Sequence, residues 1–296
     1  MSTSVSTAFV TAYTADVKHV FQREGSLLRP GVQMKNGVVG SSAVFQKIGS
    51  GTATTKARHG TITPMNQTHT APSATLADFY AGDWSDMLDE SKITINERMA
   101  LARGGAYALG RKVDDQIITA LNGTSQTQIA VTVTSYATIQ STMLEWVEAL
   151  DANDVPNDGL RYGLITPRLW SQMMTVEEFQ RADFIGANGL PLIEGAPIMQ
   201  RWKLWNGVMW KVHNALPNAA AASATGYIWH RDAVGYATGA HANNSAANDM
   251  VAADITWHGD RASWFVNHMM SGGAVLIDDT GVIEALWDDS AAIVTS

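Results

Sequence analysis

Ile95-Asn-Glu-Arg-Met-Ala-Leu-Ala-Arg-Gly-Gly-Ala-Tyr-Ala-Leu-Gly-Arg-Lys-Val-Asp-Asp-Gln-Ile-Ile-Thr-Ala-Leu-Asn-Gly123 carries the clearest period in the chain. Ile95, Met99, Ala102, Ala106, Leu109, Val113, Ile117 and Leu121 recur at helical spacing and share one face of an α-helix. Asn122-Gly123 supplies the stop. At about 1.5 Å per residue such a helix runs on the order of 40 Å. Gly104, Gly105 and Gly110 should soften it and let another backbone approach closely. The opposite face carries Glu97, Arg98, Arg103, Arg111, Lys112, Asp114 and Asp115. It is expected to be solvated or, in an assembly, to meet charges on neighbouring copies.

Upstream, Asp83-Trp-Ser-Asp-Met-Leu-Asp-Glu90 reads as an acidic turn that complements the dipole of the helix it precedes. Its Asp86, Asp89 and Glu90 also offer oxygen ligands of the kind a divalent cation takes. Gly31 to Thr75 is unusual in holding two strand-like runs, Ser42 to Ile48 and Gly60 to Met65. Between them lies the turn-rich Gly49-Ser-Gly-Thr-Ala-Thr-Thr-Lys-Ala-Arg58. A two-stranded excursion this poor in apolar residues has no core of its own, so it is expected to lie on another subunit. The leading segment places Val5, Phe9, Tyr13, Val17, Val20 and Phe21 at near-helical spacing, which reads equally as an arm whose rings need a surface elsewhere or as a frayed terminus.

Downstream, strands and helices mix. Tyr136 to Leu150 is a predicted helix, Arg161 to Ile165 a short buried strand, and Pro167 the first residue of a further helix. Gly207 to His213 and Gly226 to His230 are predicted strands, with Ala219 to Thr225 a small-residue linker and Gly239 to Asn248 a polar loop. Ala262 to His268, Gly272 to Ile277 and Gly281 to Trp287 give a strand-rich finish that should pair near the long helix.

Composition narrows the function. Charged residues make up only 16% of the chain, low for a freely diffusing monomer and suited to a protein packed against neighbours. The net charge of −8 argues against a dedicated nucleic-acid binder. With no cysteine there is no disulfide, thiolate metal site or thiol nucleophile. The first fifteen residues have no signal-peptide pattern, and no stretch reaches the length of a membrane span. No nucleophile elbow, phosphate-binding loop, HExxH pair or dinucleotide fingerprint occurs. The histidines His19, His59, His69, His213, His230, His241, His258 and His268 are scattered, though His230-Arg-Asp232 and His258-Gly-Asp260 each set an imidazole near a carboxylate. Ten tryptophans, Trp202, Trp205, Trp210, Trp229, Trp257 and Trp264 among them, suit a sugar-binding surface or, better, cores and interfaces. No catalytic, cofactor or metal site is therefore assigned.

In order, an apolar-studded arm, a long β-excursion, an acidic turn, one long helix, a mixed body and returning strands resemble the Hong Kong 97-type (HK97-like) major capsid proteins of tailed bacteriophages. Phe79 to Glu90 leading into Ala106 to Leu121, with Asp114-Asp115 before Ile117-Ile118, looks like the family's spine helix, and Asn267 to Asp278 like its returning segment. The resemblance implies an α+β fold divided as 1–36 N-terminal arm, 37–78 extended β-hairpin E-loop, 79–124 P-domain with the spine helix, 125–249 A-domain and 250–296 P-domain return strands. It implies a non-enzymatic head protein that self-assembles, as hexamers and pentamers, into the icosahedral shell around the double-stranded DNA genome. The DNA would be enclosed without sequence-specific binding. The implied partners are further copies, a portal protein, decoration proteins, and either a separate scaffolding protein or none. The implied location is the virion, assembled in the host bacterial cytoplasm with no membrane. Expected inter-subunit contacts are Phe9, Tyr13, Phe21, Phe45, Lys47, Ile48, Lys56, Arg58, Arg103, Arg111 and Lys112, with helix flexure at Gly104 and Gly105. Lysines Lys47 and Lys56 do not by themselves imply covalent cross-linking. A tail-tube subunit, which would lack the long helix, and a soluble hydrolase are the alternatives.

Overall fold

The structure is a computed structural model describing residues 25–90, 92, 97–131, 136–175, 203–240, 252–290 and 292–293. The chain starts with β1 (Gln33–Val38) and the short strands β2 (Ser42–Val44), β3 (Lys47–Ile48), β4 (His69–Thr70) and β5 (Ser73–Thr75). Next come β6 (Ala77–Asp86), α1 (Met87–Glu90), α2 (Glu97–Leu121), β7 (Ile129–Val131), α3 (Tyr136–Ala152), β8 (Arg161–Ile165) and α4 (Pro167–Met173). It continues through β9 (Lys203–Trp205), β10 (Val208–Val212), β11 (Ala224–His230), β12 (Val234–Gly239), β13 (Ala252–His258), β14 (Ser263–Leu276) and β15 (Val282–Trp287).

Strand alternation builds two cores from one sheet. The six-stranded sheet has the order β7-β15-β11-β8-β10-β9. On one face Ile165, Trp210, Ile228, Ile283 and Trp287 pack against Ile139, Met143, Trp146 and Leu150 of α3 and Leu169 and Met173 of α4. On the other, Tyr162, Leu164, Tyr227, Trp229 and Val282 pack against Leu109, Val113, Ile117 and Leu121 of α2 and against Leu28 and Val32. Because both faces are covered, β8 and β11 are buried at every position. Trp146, Trp210, Trp229 and Trp287 are almost wholly enclosed. Each removes about 200 Å² from water, an upper bound of roughly 5 kcal/mol apiece. In the turn Trp205-Asn206-Gly207-Val208, Asn206 and Gly207 take φ of 48° and 74°, closing a two-residue hairpin between β9 and β10.

The second sheet is organised by β14. It pairs with β6 along its whole first part, from Ser263 opposite Asp86 to Gly272 opposite Ala77. Along its other edge lie β13 and then β12, and β1 joins β12 in parallel. The long helix α2 crosses β14 and β6. It is unbroken through Gly104 and Gly105. A methyl at Gly105 would lie 2.5 Å from the His268 ring, and one at Gly110 would lie 2.6 Å from the Gly25 backbone. Close approach therefore explains these two glycines, while Gly104 has nothing within 4 Å.

Several expectations change. Asp83 to Asp86 is the end of strand β6 rather than a turn, because β14 supplies a partner along all of it. Gly60 to Met65 is not a strand. Pairing in the excursion is confined to β2 with β5 and β3 with β4, and Gly60 to Met65 meets no partner ladder. Strand β13 and the hairpin at Asn206 were not anticipated. Expectations for the arm to Phe21, for Ile95, and for most of the loop Gly239 to Asn248 lie outside the described residues.

A methyl at Gly226 would come 2.2 Å from a Trp287 ring carbon and 2.6 Å from the Leu164 carbonyl oxygen. Gly226→Ala should therefore lower subunit stability by about 2 kcal/mol in urea unfolding. Gly104→Ala should raise it by up to about 1 kcal/mol, since an open helix interior favours alanine over glycine. A loss at Gly104 would mean that its lack of a side chain is needed within the subunit.

Candidate interaction surfaces

Three buried or half-buried carboxylates set the frame on which the surfaces stand. Asp114 of α2, expected on the solvated face, has no exposed surface. It accepts hydrogen bonds from the Ser26 hydroxyl at 2.5 Å and from the Leu27 and Leu28 amides at 3.0–3.1 Å. His213 Nε2 stands 3.5 Å away. His213 Nδ1 accepts from the Ala215 amide, so the ring proton sits on Nε2 and points at Asp114. Burial pushes the Asp114 carboxyl up, but these donors together outweigh it and hold it below the usual carboxylate value. Burial pushes the Asp279 carboxyl up, but Ser125 (amide and hydroxyl), Thr124 and Gln126 donate to it and together bring it down to about 2. Asp289 receives Thr166, the Trp287 indole and the Ala220 amide.

The excursion between β1 and β6 is anchored at its base and bare at its tip. Phe45 is only 5% exposed, packed with Ala43, Ala74, Ala237 and Ile277, and a methyl at Gly235 would strike its ring. Its ring is thus held within its own subunit rather than offered to a neighbour. Lys47 forms an ion pair with Asp278 at 2.7 Å; partial burial pushes that carboxyl up, but Lys47 and the Thr280 hydroxyl and amide together hold it below its usual value. Past β3, the Gly49 amide bonds the Thr68 carbonyl, and then every residue from 50 to 71 is exposed. Ile48, Ile62 and Met65 lie open there, with Ile62 at 76% exposure, and Lys56 and Arg58 project from the same tip. Val39 beside the base is 90% exposed.

The remaining expected contact residues divide. On α2, Arg103 is exposed, Arg111 is half-buried, and Lys112 is half-buried with its ammonium 5.3 Å above the Phe79 ring. Phe9, Tyr13 and Phe21 lie outside the described residues.

Residues of which only Asp86 was singled out from sequence form a second surface. Alternation along β6 sends Phe79, Ala81 and Ser85 toward α2 and Asp78, Tyr80, Trp84 and Asp86 away from it. Paired beside them are Phe265, Asn267, Met269 and Ser271 of β14, then Thr256 and Asp254 of β13. Tyr80 is 66% exposed. Trp84 packs at 4.6 Å, tilted by 36°, against Phe265 and carries the Arg261 guanidinium at 4.5 Å. The period-2 signal was present in Asp78 to Asp86, but the acidic content suggested a turn. Along the helix side of β6, Ala81, Ala100, Leu101, Gly104, Ala108 and Val266 line a groove of about 360 Å³.

The two His–Asp pairs have local roles. His230 Nδ1 accepts the Asp232 amide, closing a tight turn, and Nε2 faces Asp158 at 3.2 Å. His258 and Asp260 stand 4.0 Å apart at the surface. Among the described residues no three His, Asp or Glu side chains converge as a metal site would require, Asp86, Asp89 and Glu90 included. No described helix is long and apolar enough to cross a membrane.

The family model for phage capsid proteins matches residues 5–289. Among solved structures, the capsid of the cyanophage P-SCSP1u is 14% identical with a TM-score of 0.69, over 95% of this chain and 93% of that one. A chain from Mycobacterium phage Che8 is 14% identical with a TM-score of 0.67, over 93% and 96%. The capsid of Ralstonia phage GP4 is 10% identical with a TM-score of 0.67, over 94% of each chain. At such identities the likeness carries the fold. No curated protein matches the chain.

Asp279 supplies a testable pH dependence. A carboxylate whose folded value is depressed adds stability that is whole above the unfolded value near 3.8 and is lost as pH falls toward about 2. Asp279→Asn should be less stable than the parent at pH 7, the difference closing by about pH 2 in urea titrations. Asp114→Ala, which orphans four donors at a buried site, should cost about 3 kcal/mol at pH 7.

Proposed function

The chain belongs to the phage capsid protein family, with a fold of the Hong Kong 97 type and the role of a major capsid protein that forms the particle's shell, and from this premise we propose how its parts divide the work of assembly. Residues 1–36 act as an arm and 37–78 as an E-loop. Residues 79–124 with 250–296 form a P-domain, and 125–249 an A-domain. The strongest support is the unbroken exposure of residues 50 to 71. An excursion of this length with Ile62 and Met65 in water gains little within its own subunit. It would recover the cost of ordering by lying across an adjoining copy.

Copies of the chain assemble with one another. The finer proposals are that they do so as hexamers and pentamers in the host cytoplasm, around DNA held without sequence reading, and without catalysis. By the same family resemblance, a portal, a separate scaffolding protein and decoration proteins are the further partners. Ile48, Lys56, Arg58 and Arg103 are the expected contacts whose side chains are exposed. Gly104, which has open space around it, is the better placed of the two glycines for bending of α2 during shell maturation. Arm residues Phe9, Tyr13 and Phe21 keep their proposed role on a neighbour.

Replacing Gly49 to Arg58 with a two-residue turn should leave a folded, soluble subunit that makes no closed shells in negative-stain micrographs. Normal particles from that variant would reject the interface role of the excursion.

A further inference from the structure

Building on the reading of residues 1–36 as an arm, we propose that before assembly the stretch from Tyr13 to Glu24 docks on α2 of its own chain, over Met99, Ala102 and Ala106. This resting site is vacated when the same rings pass to a neighbouring copy in the shell.

The apolar stripe of α2 is covered along only half its length. Leu109, Val113, Ile117 and Leu121 pack under the six-stranded sheet, Leu28 and Val32. No residue of the helix before Leu109 is buried. The stripe nevertheless continues through Ala106, Ala102 and Met99. Ala106 is exposed, Ala102 half-buried and Met99 57% exposed. A helix face that is apolar in sequence and open to water calls for a cover.

The described chain begins where the covered half of the stripe begins. Gly25 lies against Gly110, where a methyl would come within 2.6 Å of the Gly25 backbone. The Ser26 hydroxyl and the Leu27 and Leu28 amides then bond Asp114, one turn further along the helix. From Gly25 to Leu28 the chain thus runs beside α2 and in the same direction. Followed backward, that path leads over Ala106 toward Met99. The five residues back to Val20 span about 7.5 Å as helix and at most about 17 Å extended, the rise of roughly five to eleven residues of α2. Val20 and Phe21 therefore come against the stretch between Ala106 and Met99. Tyr13, Val17, Val20 and Phe21 share one face of the leading segment, and the small side chains of Ala102 and Ala106 leave room for them. A tether this short sets an effective concentration in the millimolar range, far above that of a second copy in dilute solution. The occupant is accordingly the chain's own segment.

Because the chain has no cysteine, an introduced pair reports a single contact. The experiment uses the full-length subunit below the concentration at which shells form, with oxidised glutathione as the oxidant. Val20→Cys is paired in turn with Ala102→Cys, with Ala106→Cys and, as a control, with Thr119→Cys. Thr119 is exposed on α2 about 14 Å past Gly110, within reach of the same tether.

The faster of the Ala102 and Ala106 pairs should close about tenfold faster than the control and give a disulfide within one monomer. The oxidised, locked subunit should form no shells in negative stain, and dithiothreitol should restore them. Equal rates for all three pairs would overturn the resting site. A disulfide-linked dimer would do so as well, by placing the segment on a second copy. Normal shells from the locked subunit would overturn the release step. Deleting residues 1–24 separates this site from the arm reading on which it rests. If the deletion prevents shells in a subunit that melts like the parent, while no pair outruns the control, the resting site fails and the arm stands. Normal shells after the deletion would reject the arm reading, and the release step with it.

Discussion

Asp114 is a charged carboxylate without water around it, and three distant parts of the chain meet there. The donors come from Ser26, Leu27 and Leu28, just after the leading segment, and from His213 at the end of β10. A buried charge is costly unless its lone pairs are filled, so α2, the strand end and the entering chain must hold one arrangement. Leu28 and Val32 follow directly and seal the core between α2 and the six-stranded sheet. The place of Ser26 to Leu28 on the body is thereby fixed by hydrogen bonds.

The same helix joins the two sheets. Its apolar face meets the six-stranded sheet through Leu109, Val113 and Ile117, while Gly105 admits His268 of β14. Small residues on one side and large ones on the other let a single helix serve as a wall for both. Asp279 and Asp289 tie the connections around the six-stranded sheet in the way Asp114 ties the entering chain. The body is accordingly braced by hydrogen-bonded acids as well as by tryptophan packing.

From that braced body extends a segment with the opposite economy. Phe45 and the Lys47–Asp278 pair hold its base to the subunit, and beyond them nothing from residue 50 to 71 is covered. Rigid attachment with an uncovered reach is the physical form of a connector: the base fixes direction and the tip is left for another molecule. Tyr80 and Trp84 are uncovered for the matching reason, since no element among the described residues closes over that side of β6.

How much was legible from the chain depends on whether the signal was local. The helix from Glu97 to Leu121, the strand Arg161 to Ile165, the helix start at Pro167 and the apolar poverty of the excursion all follow from period, turn chemistry and composition, which neighbours in sequence determine. The surfaces were legible only in outline. Ile48, Lys56 and Arg58 could be named because nothing near them in sequence could cover them. Phe45 could not be placed, because its cover is Gly235 and Ala237, nearly 200 residues away. Asp114 looked like one more charge on a wet helix face, and only the return of Ser26 to Leu28 across α2 turned that face into an interior. Asp83 to Asp86 looked like a turn until β14 offered it a ladder. Local pattern set which segments are helix, strand or bare loop. Long-range pairing alone decided which charges are buried and which faces stay open, because burial is a property of what arrives from elsewhere in the chain.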